Sequence, residues 1–233
     1  MDLILSSGFL AFARHLGVLH AIERRGVPFQ ALVGTSSGAL VGALVQAGHS
    51  LDRIGALLSE NAPLHYMRPH AKPWQGVCTM RPLARILRTL LPRTFEELPK
   101  PLALGVRDEA GQHRLLFEGD LLSAVMASIA IPYVFPAILR DGHRYVDGGV
   151  TDRTGIAAWQ AWRPRQSAIV HVVERSRGKD VPFDVANTFV VRTPRSHARF
   201  WSLGAFATQT AEARALAEAQ LAQHFTDAAP AGP

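Results

Sequence analysis

The first apolar run, Leu3-Ile4-Leu5, is uncharged and too short for a helix, which predicts a buried strand. After the turn Ser6-Ser7-Gly8, apolar positions recur at helical spacing over residues 9–25, until Gly26 with Pro28 beyond stops the helix. A second apolar run, Ala31-Leu32-Val33, predicts a second strand, and the small-residue run 39–47, closed by Gly48, a second helix. Strand, helix and strand within 36 residues predict two parallel neighbours joined by a right-handed crossover. Ser50 caps a third helix; from 61 to 82 the period disappears into Pro, His, Arg and aromatic residues, a long loop. Helical spacing returns at 82–91, with Leu83, Ile86, Leu87 and Leu90 on one stripe and Arg81, Arg85 and Arg88 on the other. Thr94 and Glu97 have the spacing of a capping box. Strands are predicted at 102–106 and 114–117 around the turn Asp108-Glu109-Ala110-Gly111, then a helix at 121–128. A short hairpin around Asp141-Gly142-His143 ends in Tyr145-Val146-Asp147-Gly148-Gly149. Strands at 168–174 and 188–192 flank a charged loop at 175–183, and the rest reads as one alanine-rich helix, about 196–225, with a frayed tail at 226–233.

No composition shift divides the chain, so 1–233 is expected to form a single domain; 48% apolar and 19% charged residues are ordinary for a globular protein with a full core. The longest apolar stretch, 39–47, is far short of a membrane span, and Met1-Asp2 leading straight into a strand is no signal peptide. Cys78, the lone cysteine, cannot make an intrachain disulfide. These features suit a cytoplasmic chain. A net charge of +6 favours anionic surfaces, whether nucleic acid or an acidic membrane met peripherally. Nucleic acid gains no support, since zinc spacing, a recognition-helix pattern and an aromatic-basic sheet motif are all missing. His65 and His70 lack a third ligand at metal spacing, so no metal is expected.

Chemistry concentrates at Gly34-Thr35-Ser36-Ser37-Gly38, which lies between the second strand and the second helix. Such a Gly-x-Ser-x-Gly turn is a nucleophile elbow. Its glycines, Gly34 and Gly38, allow strained angles and close approach, and the serine hydroxyl stands over the positive end of a helix. Ser36 is the candidate nucleophile. If the first two strands are parallel, the turn after the first lies at the same sheet edge, and backbone N–H groups at Gly8, Phe9 and Leu10 can face a site above Ser36 as an oxyanion hole. An ordinary α/β-hydrolase places its elbow after several strands, so this one comes too early for that fold.

Asp147 is the second candidate, a carboxylate at a strand end whose following glycines, Gly148 and Gly149, permit a turn tight enough to press it against another loop. Beside an elbow it is a candidate base. The histidines that could complete a triad in the order Ser, Asp, His begin with His171, His197 and His224; His171 sits in the apolar strand Ile169-Val170-His171-Val172-Val173, where a satisfied core histidine is the plainer reading. Tyr66, Met67 and Trp74 among basic residues suit lipid headgroups and acyl chains, or equally a loop folded back on the domain. Arg195, Arg199, Phe200, Trp201, Leu203 and Phe206 invite the same two readings, helix packing or an interface.

Three blocks together resemble the patatin-like phospholipases. Leu5-Ser6-Ser7-Gly8 through His15-Leu16-Gly17-Val18-Leu19 is similar to the family's glycine-rich oxyanion block and following helix. Gly34-Thr35-Ser36-Ser37-Gly38-Ala39-Leu40 is similar to its elbow, and Ala127-Ser128-Ile129-Ala130-Ile131-Pro132 with Phe135-Pro136 and Val146-Asp147-Gly148-Gly149 to its acid block. The resemblance implies an α/β fold, three layers α/β/α around a central mostly parallel sheet, and hydrolysis of lipid acyl esters by a Ser36-Asp147 dyad without a cofactor. In the family's first block three successive glycines and a downstream arginine or lysine are usual; here Ser7, Phe9 and Ala11 take those places and only Gly8 remains. Backbone donors survive a change of side chain, but the lost cation bears on rate, and bulky Phe9 and Leu10 narrow the acyl pocket. The alternative is a catalytically weak lipid- or membrane-binding module that keeps the fold. A nucleotide-binding domain ranks third, because neither glycine turn has a dinucleotide fingerprint or a phosphate-loop lysine.

Overall fold

The computed structural model describes residues 1–175 and 185–227. Strand β1 (Asp2–Leu5) leads through a turn into helix α1 (Phe12–Arg24), β2 (Leu32–Thr35) and α2 (Ser37–Gln46). Helix α3 (Leu51–Ser59) starts at Ser50, whose side chain accepts the Arg53 N–H as an N-cap. A two-stranded ribbon, β3 (Arg68–Pro69) with β4 (Cys78–Thr79), precedes α4 (Arg81–Leu90). Then come β5 (Leu102–Arg107), β6 (His113–Leu116), α5 (Leu121–Ser128), β7 (Ile138–Arg140) and β8 (His143–Asp147). Helix α6 (Ile156–Trp162), β9 (Ala168–Val173), β10 (Thr188–Thr193) and α7 (Phe206–Asp227) complete the described chain.

The main sheet runs β10-β9-β1-β2-β5-β8-β7, with β6 also paired to β5. Five successive strands, from β10 at one edge to β5, are parallel, with Leu3 opposite Leu32 and Leu5 opposite His171, while β6, β7 and β8 join antiparallel. Alternate residues feed two cores. Leu3, Leu5, Leu32, Leu102, Leu104 and Ile169 pack with the helices α1 to α5 and α7, whereas Ile4, Val33, Ala103, Val170 and Val172 pack with Ile156 and Trp159 of α6. Period-two alternation with both faces buried is the signature of a sheet covered by helices on each side. The α6 face is pinned by Asp2, fully buried, whose carboxylate accepts from Trp159 Nε1 at 3.0 Å and from Arg163 Nε at 3.0 Å.

Several elements depart from expectation for local reasons. Helix α1 starts at Phe12 and not at residue 9, because Ala11 N–H bonds to Gly8 carbonyl at 3.2 Å and Leu10 takes φ +49°. The loop at 61–82 contains the ribbon and two 3₁₀ turns, and Met67 is buried in the main core, not exposed. At 94–97 the expected capping box does not form: Thr94 makes no side-chain cap, and Glu97 accepts at 3.0 Å from the N–H of Arg93, one residue before the cap. The last helix starts at Phe206 and not near 196, since Arg199 and Ser202 pair in a tight turn and Gly204 has φ +64°. Apart from Arg175, the expected charged loop at 175–183 falls outside the described residues, as does the tail beyond Asp227.

Candidate active site

β2 ends at Thr35 and α2 begins at Ser37, so Ser36 alone makes the reversal, at φ 55° and ψ −117°. A non-glycine residue held there stores about 1–3 kcal/mol of strain. That strain falls on Ser36 itself and not on the flanking glycines, which are needed for space. A Cβ on Gly34 would lie 2.5 Å from the Gly38 carbonyl oxygen, and one on Gly38 would lie 2.4 Å from that of Leu5. Ser128 Oγ holds the elbow, accepting from Ser36 N–H at 3.0 Å and donating to Gly105 carbonyl at 2.7 Å. Ser128 stood inside a recognised motif, yet nothing in that motif told its role.

Ser36 Oγ donates to Asp147 Oδ2 at 2.6 Å. Their separation of 111 positions along the chain is closed by the sheet: β8 pairs with β5, which pairs with β2, and Asp147 N–H bonds to Ala130 carbonyl at 2.9 Å. Asp147 Oδ1 accepts from Gly149 N–H at 2.7 Å. With the residue 4% exposed, burial pushes the carboxyl up to about 6, and the bonds from Ser36 and Gly149 only partly offset that. Gly148 and Gly149 are required by close approach, to Gly105 backbone and to Ser7 side chain respectively.

Phe9 and Leu10 border Ser36 in an apolar pocket of about 110 Å³, walled by Leu40, Leu83, Ile86, Phe135 and Phe200 among others. Phe9 does not plug it; the ring stands at the rim, edge-on to Phe200 with centroids 5.1 Å apart. Gly8 lies on the other side of the same turn, in a polar cleft with Gly149 and Arg153. Among the described residues, the N–H groups of Gly8, Phe9 and Leu10 have no protein partner. The turn is tied to the acid loop by Arg153, whose carbonyl accepts from Ser7 N–H at 2.6 Å and whose guanidinium donates to the Ser7 carbonyl at 2.8 Å and to that of Val173.

His171 is engaged elsewhere. Its Nδ1 meets His15 Nδ1 at 2.9 Å and its Nε2 meets Thr193 Oγ1 at 2.9 Å, while His15 Nε2 reaches Ser37 Oγ at 3.1 Å. Burial drives His15 down to about 3 and His171 well below the usual imidazole value, so both rings are neutral. His224 stacks on Phe189, and His197, at the surface before α7, pairs through its backbone with Gln209. The described structure therefore brings Ser36 to Asp147 and brings none of the three histidines to Ser36.

A sequence model described as patatin-like phospholipase matches residues 3–158, which carry both loops and the elbow. The chain belongs to the patatin-like phospholipase family. Among relatives of this patatin-like chain, an uncharacterized NTE family protein of Mycobacterium tuberculosis is 31% identical over 155 residues, 64% of this chain and 42% of that protein. Patatin-like phospholipase domain-containing protein 6 of Homo sapiens is 29% identical over 159 residues, 63% of this chain and 11% of that protein. The chain thus spans less than half the length of these relatives. Among solved structures, VipD from Legionella pneumophila superposes with a TM-score of 0.60 at 12% identity, covering 97% of this chain and 66% of VipD. ExoU, solved with SpcU from Pseudomonas aeruginosa, gives 0.56 at 15% identity over 96% of this chain and 52% of that one. Both likenesses carry the α/β fold.

Proposed function

We propose that this chain is a serine acyl hydrolase acting on carboxylic esters of lipids: phospholipid, lysophospholipid or a simpler acyl ester. The observation that carries the reading is the 2.6 Å bond from Ser36 Oγ to Asp147 Oδ2 at an apolar pocket. Ser36 attacks the ester carbonyl while Asp147 takes its proton, a transfer suited to a carboxyl raised to about 6. Negative charge then develops on the carbonyl oxygen, where the free N–H groups of Gly8, Phe9 and Leu10 and the N-terminus of α2 stabilise it. Asp147 returns the proton to the departing alcohol, and water releases the acyl group from Ser36 by the same steps in reverse order. The acyl chain lies against Leu40, Leu83 and Ile86.

A fluorophosphonate probe tests this directly: the wild type becomes labelled, and Ser36→Ala, folded by circular dichroism, does not. Equal labelling of the two would sink the assignment. Wild-type protein that resists the probe and turns over neither chromogenic esters nor phospholipid vesicles would instead support the weak lipid-binding module, which the reduced glycine block favours.

A further inference from the structure

We infer that the mouth of the Ser36 pocket is a membrane-docking face, with two aromatic tips that enter the interfacial layer of an anionic bilayer. The first tip is the turn between β3 and β4 with the neighbouring loop at 131–135. Trp74 is 78% exposed and Tyr133 91% exposed, and the two segments are joined by Val77 N–H to Tyr133 carbonyl at 3.1 Å. Tyr133 sits at φ +68°, a conformation a tyrosine adopts only at a cost, while Ile131 and Phe135 on either side line the pocket. The second tip is the tight turn closed by Arg199 N–H to Ser202 carbonyl at 2.6 Å. It turns Phe200 into the pocket and leaves Trp201 65% exposed. Leu64 N–H bonds to Phe200 carbonyl at 2.7 Å, adding a further exposed apolar residue to this rim. An apolar patch arranged around a pocket and bearing Trp and Tyr fits the headgroup boundary, where an amphipathic ring has one end wet and one dry.

Charge decides which occupant fits. Residues 61–95 and 185–211, which supply Trp74, Trp201 and α4, hold nine of the 25 Lys and Arg and none of the 19 Asp and Glu, leaving 16 against 19 elsewhere. The excess positive charge of the chain thus sits on the segments around the mouth. Lys72 stands beside Trp74, Arg199 lies 5.6 Å from the Trp201 ring centroid, and Arg81, Arg85 and Arg88 are exposed on the helix whose other stripe walls the pocket. Each basic group near an anionic surface adds an attraction that falls off within a Debye length and so weakens as salt rises.

The acyl-hydrolase reading enters only in giving the pocket a lipid to receive, and binding is measured without turnover. The full chain is mixed with phosphatidylcholine vesicles, with or without phosphatidylglycerol, and followed by cosedimentation and tryptophan emission. Of the four tryptophans Trp159 is buried and Trp162 half-buried, so a blue shift on adding vesicles reports Trp74 and Trp201. The expected result is binding to the anionic vesicles, a blue shift, and weakening as salt rises. Partitioning should fall about tenfold or more in Trp74→Ala/Trp201→Ala, and not in Leu216→Ala, an exposed apolar residue outside the pocket lining. Hydrolysis of a soluble ester should be unchanged in both. Vesicle binding unaffected by the double substitution, equal binding to neutral and anionic vesicles, or dimerisation through these tryptophans with vesicles ignored would each overturn the inference. A chain that docks but cleaves no ester would remove the hydrolase reading and leave the docking face standing.

Discussion

Asp147 is held where burial opposes its charge, a conflict that the proposed role of base would use. Burial favours its protonated form to about pH 6, whereas the same carboxyl in the unfolded chain ionises near 3.8. The folded state therefore gains from the proton at low pH, and ionised Asp147 costs the fold about 3 kcal/mol once the pH exceeds 6. Asp147→Asn should cut kcat by several powers of ten, because a neutral amide accepts no proton from Ser36. It should also be at least as stable as wild type above pH 6, an advantage that shrinks as pH falls towards 3.8. In the wild type, activity should rise with pH through one ionisation near 6 and then level off. His171→Gln should keep kcat within about tenfold if it folds, because both ring nitrogens of His171 are spent on His15 and Thr193. Thermal melts of Asp147→Asn with kcat–pH profiles of all three proteins check this. A His171→Gln enzyme as dead as Ser36→Ala yet folded would bring a histidine back into the chemistry. Ser36 and Asp147 were legible because each sits in a short glycine-bounded motif. Their meeting was expected only through the family resemblance, and the His15 and His171 pair was not expected at all, since both depend on which strands lie side by side.

At the scale of elements, legibility tracked how local the cause is. The span Leu121–Ser128 was readable to the residue because Asp120 caps it, accepting the Ser123 N–H at 2.7 Å. The start of α7 was not, because a turn at 199–202 and a glycine at φ +64° interrupt a composition that still looks helical. Helix α6 was missed entirely; its seven residues have little period and are fixed by Asp2 at the far end of the sequence. The contact between α1 and α7 is tertiary in the same way. A Cβ on Gly17 would lie 2.3 Å from the Thr210 carbonyl oxygen and 2.6 Å from Ala213 Cβ, so the two backbones approach as only glycine permits. Gly17→Ala should destabilise the fold by about 1–3 kcal/mol through overpacking, although alanine is the better helix former. Denaturant unfolding measures it. Kinetics of the folded variant should be near wild type, since no Gly17 contact faces Ser36, and a stabilised Gly17→Ala would mean the helices cross less tightly than described.

At the scale of the whole molecule, the family match and the fold do not end at the same place. The matched residues stop at 158, after every candidate catalytic group, yet β1 at the middle of the sheet pairs on one side with β9, which lies beyond that limit. Two further bonds tie the turn at Ser6 to this later part, Ser6 N–H to His171 carbonyl at 3.0 Å and Val173 N–H to Ser6 Oγ at 3.0 Å, and Arg153, which donates to the Ser7 carbonyl, donates also to that of Val173. Helix α7 buries Ala213, Ala217 and Leu221, and its Glu212 receives the otherwise buried Arg14 guanidinium at 2.8 Å. Deleting everything after 165 would thus leave β1 as an edge with unpaired backbone groups, expose one side of α1, and strand Arg14 without its carboxylate. The turn at 6–10 would lose its support even though Gly8, Ser36 and Asp147 remain. Such a truncation should show neither a cooperative melt nor fluorophosphonate labelling, where the whole chain shows both. Adding the missing residues back as a separate chain should rescue labelling only if the two pieces associate. A truncated protein that melts cooperatively and labels at the wild-type rate would mean that the matched residues fold on their own and that β9, β10 and α7 are an addition to the site, not part of its foundation.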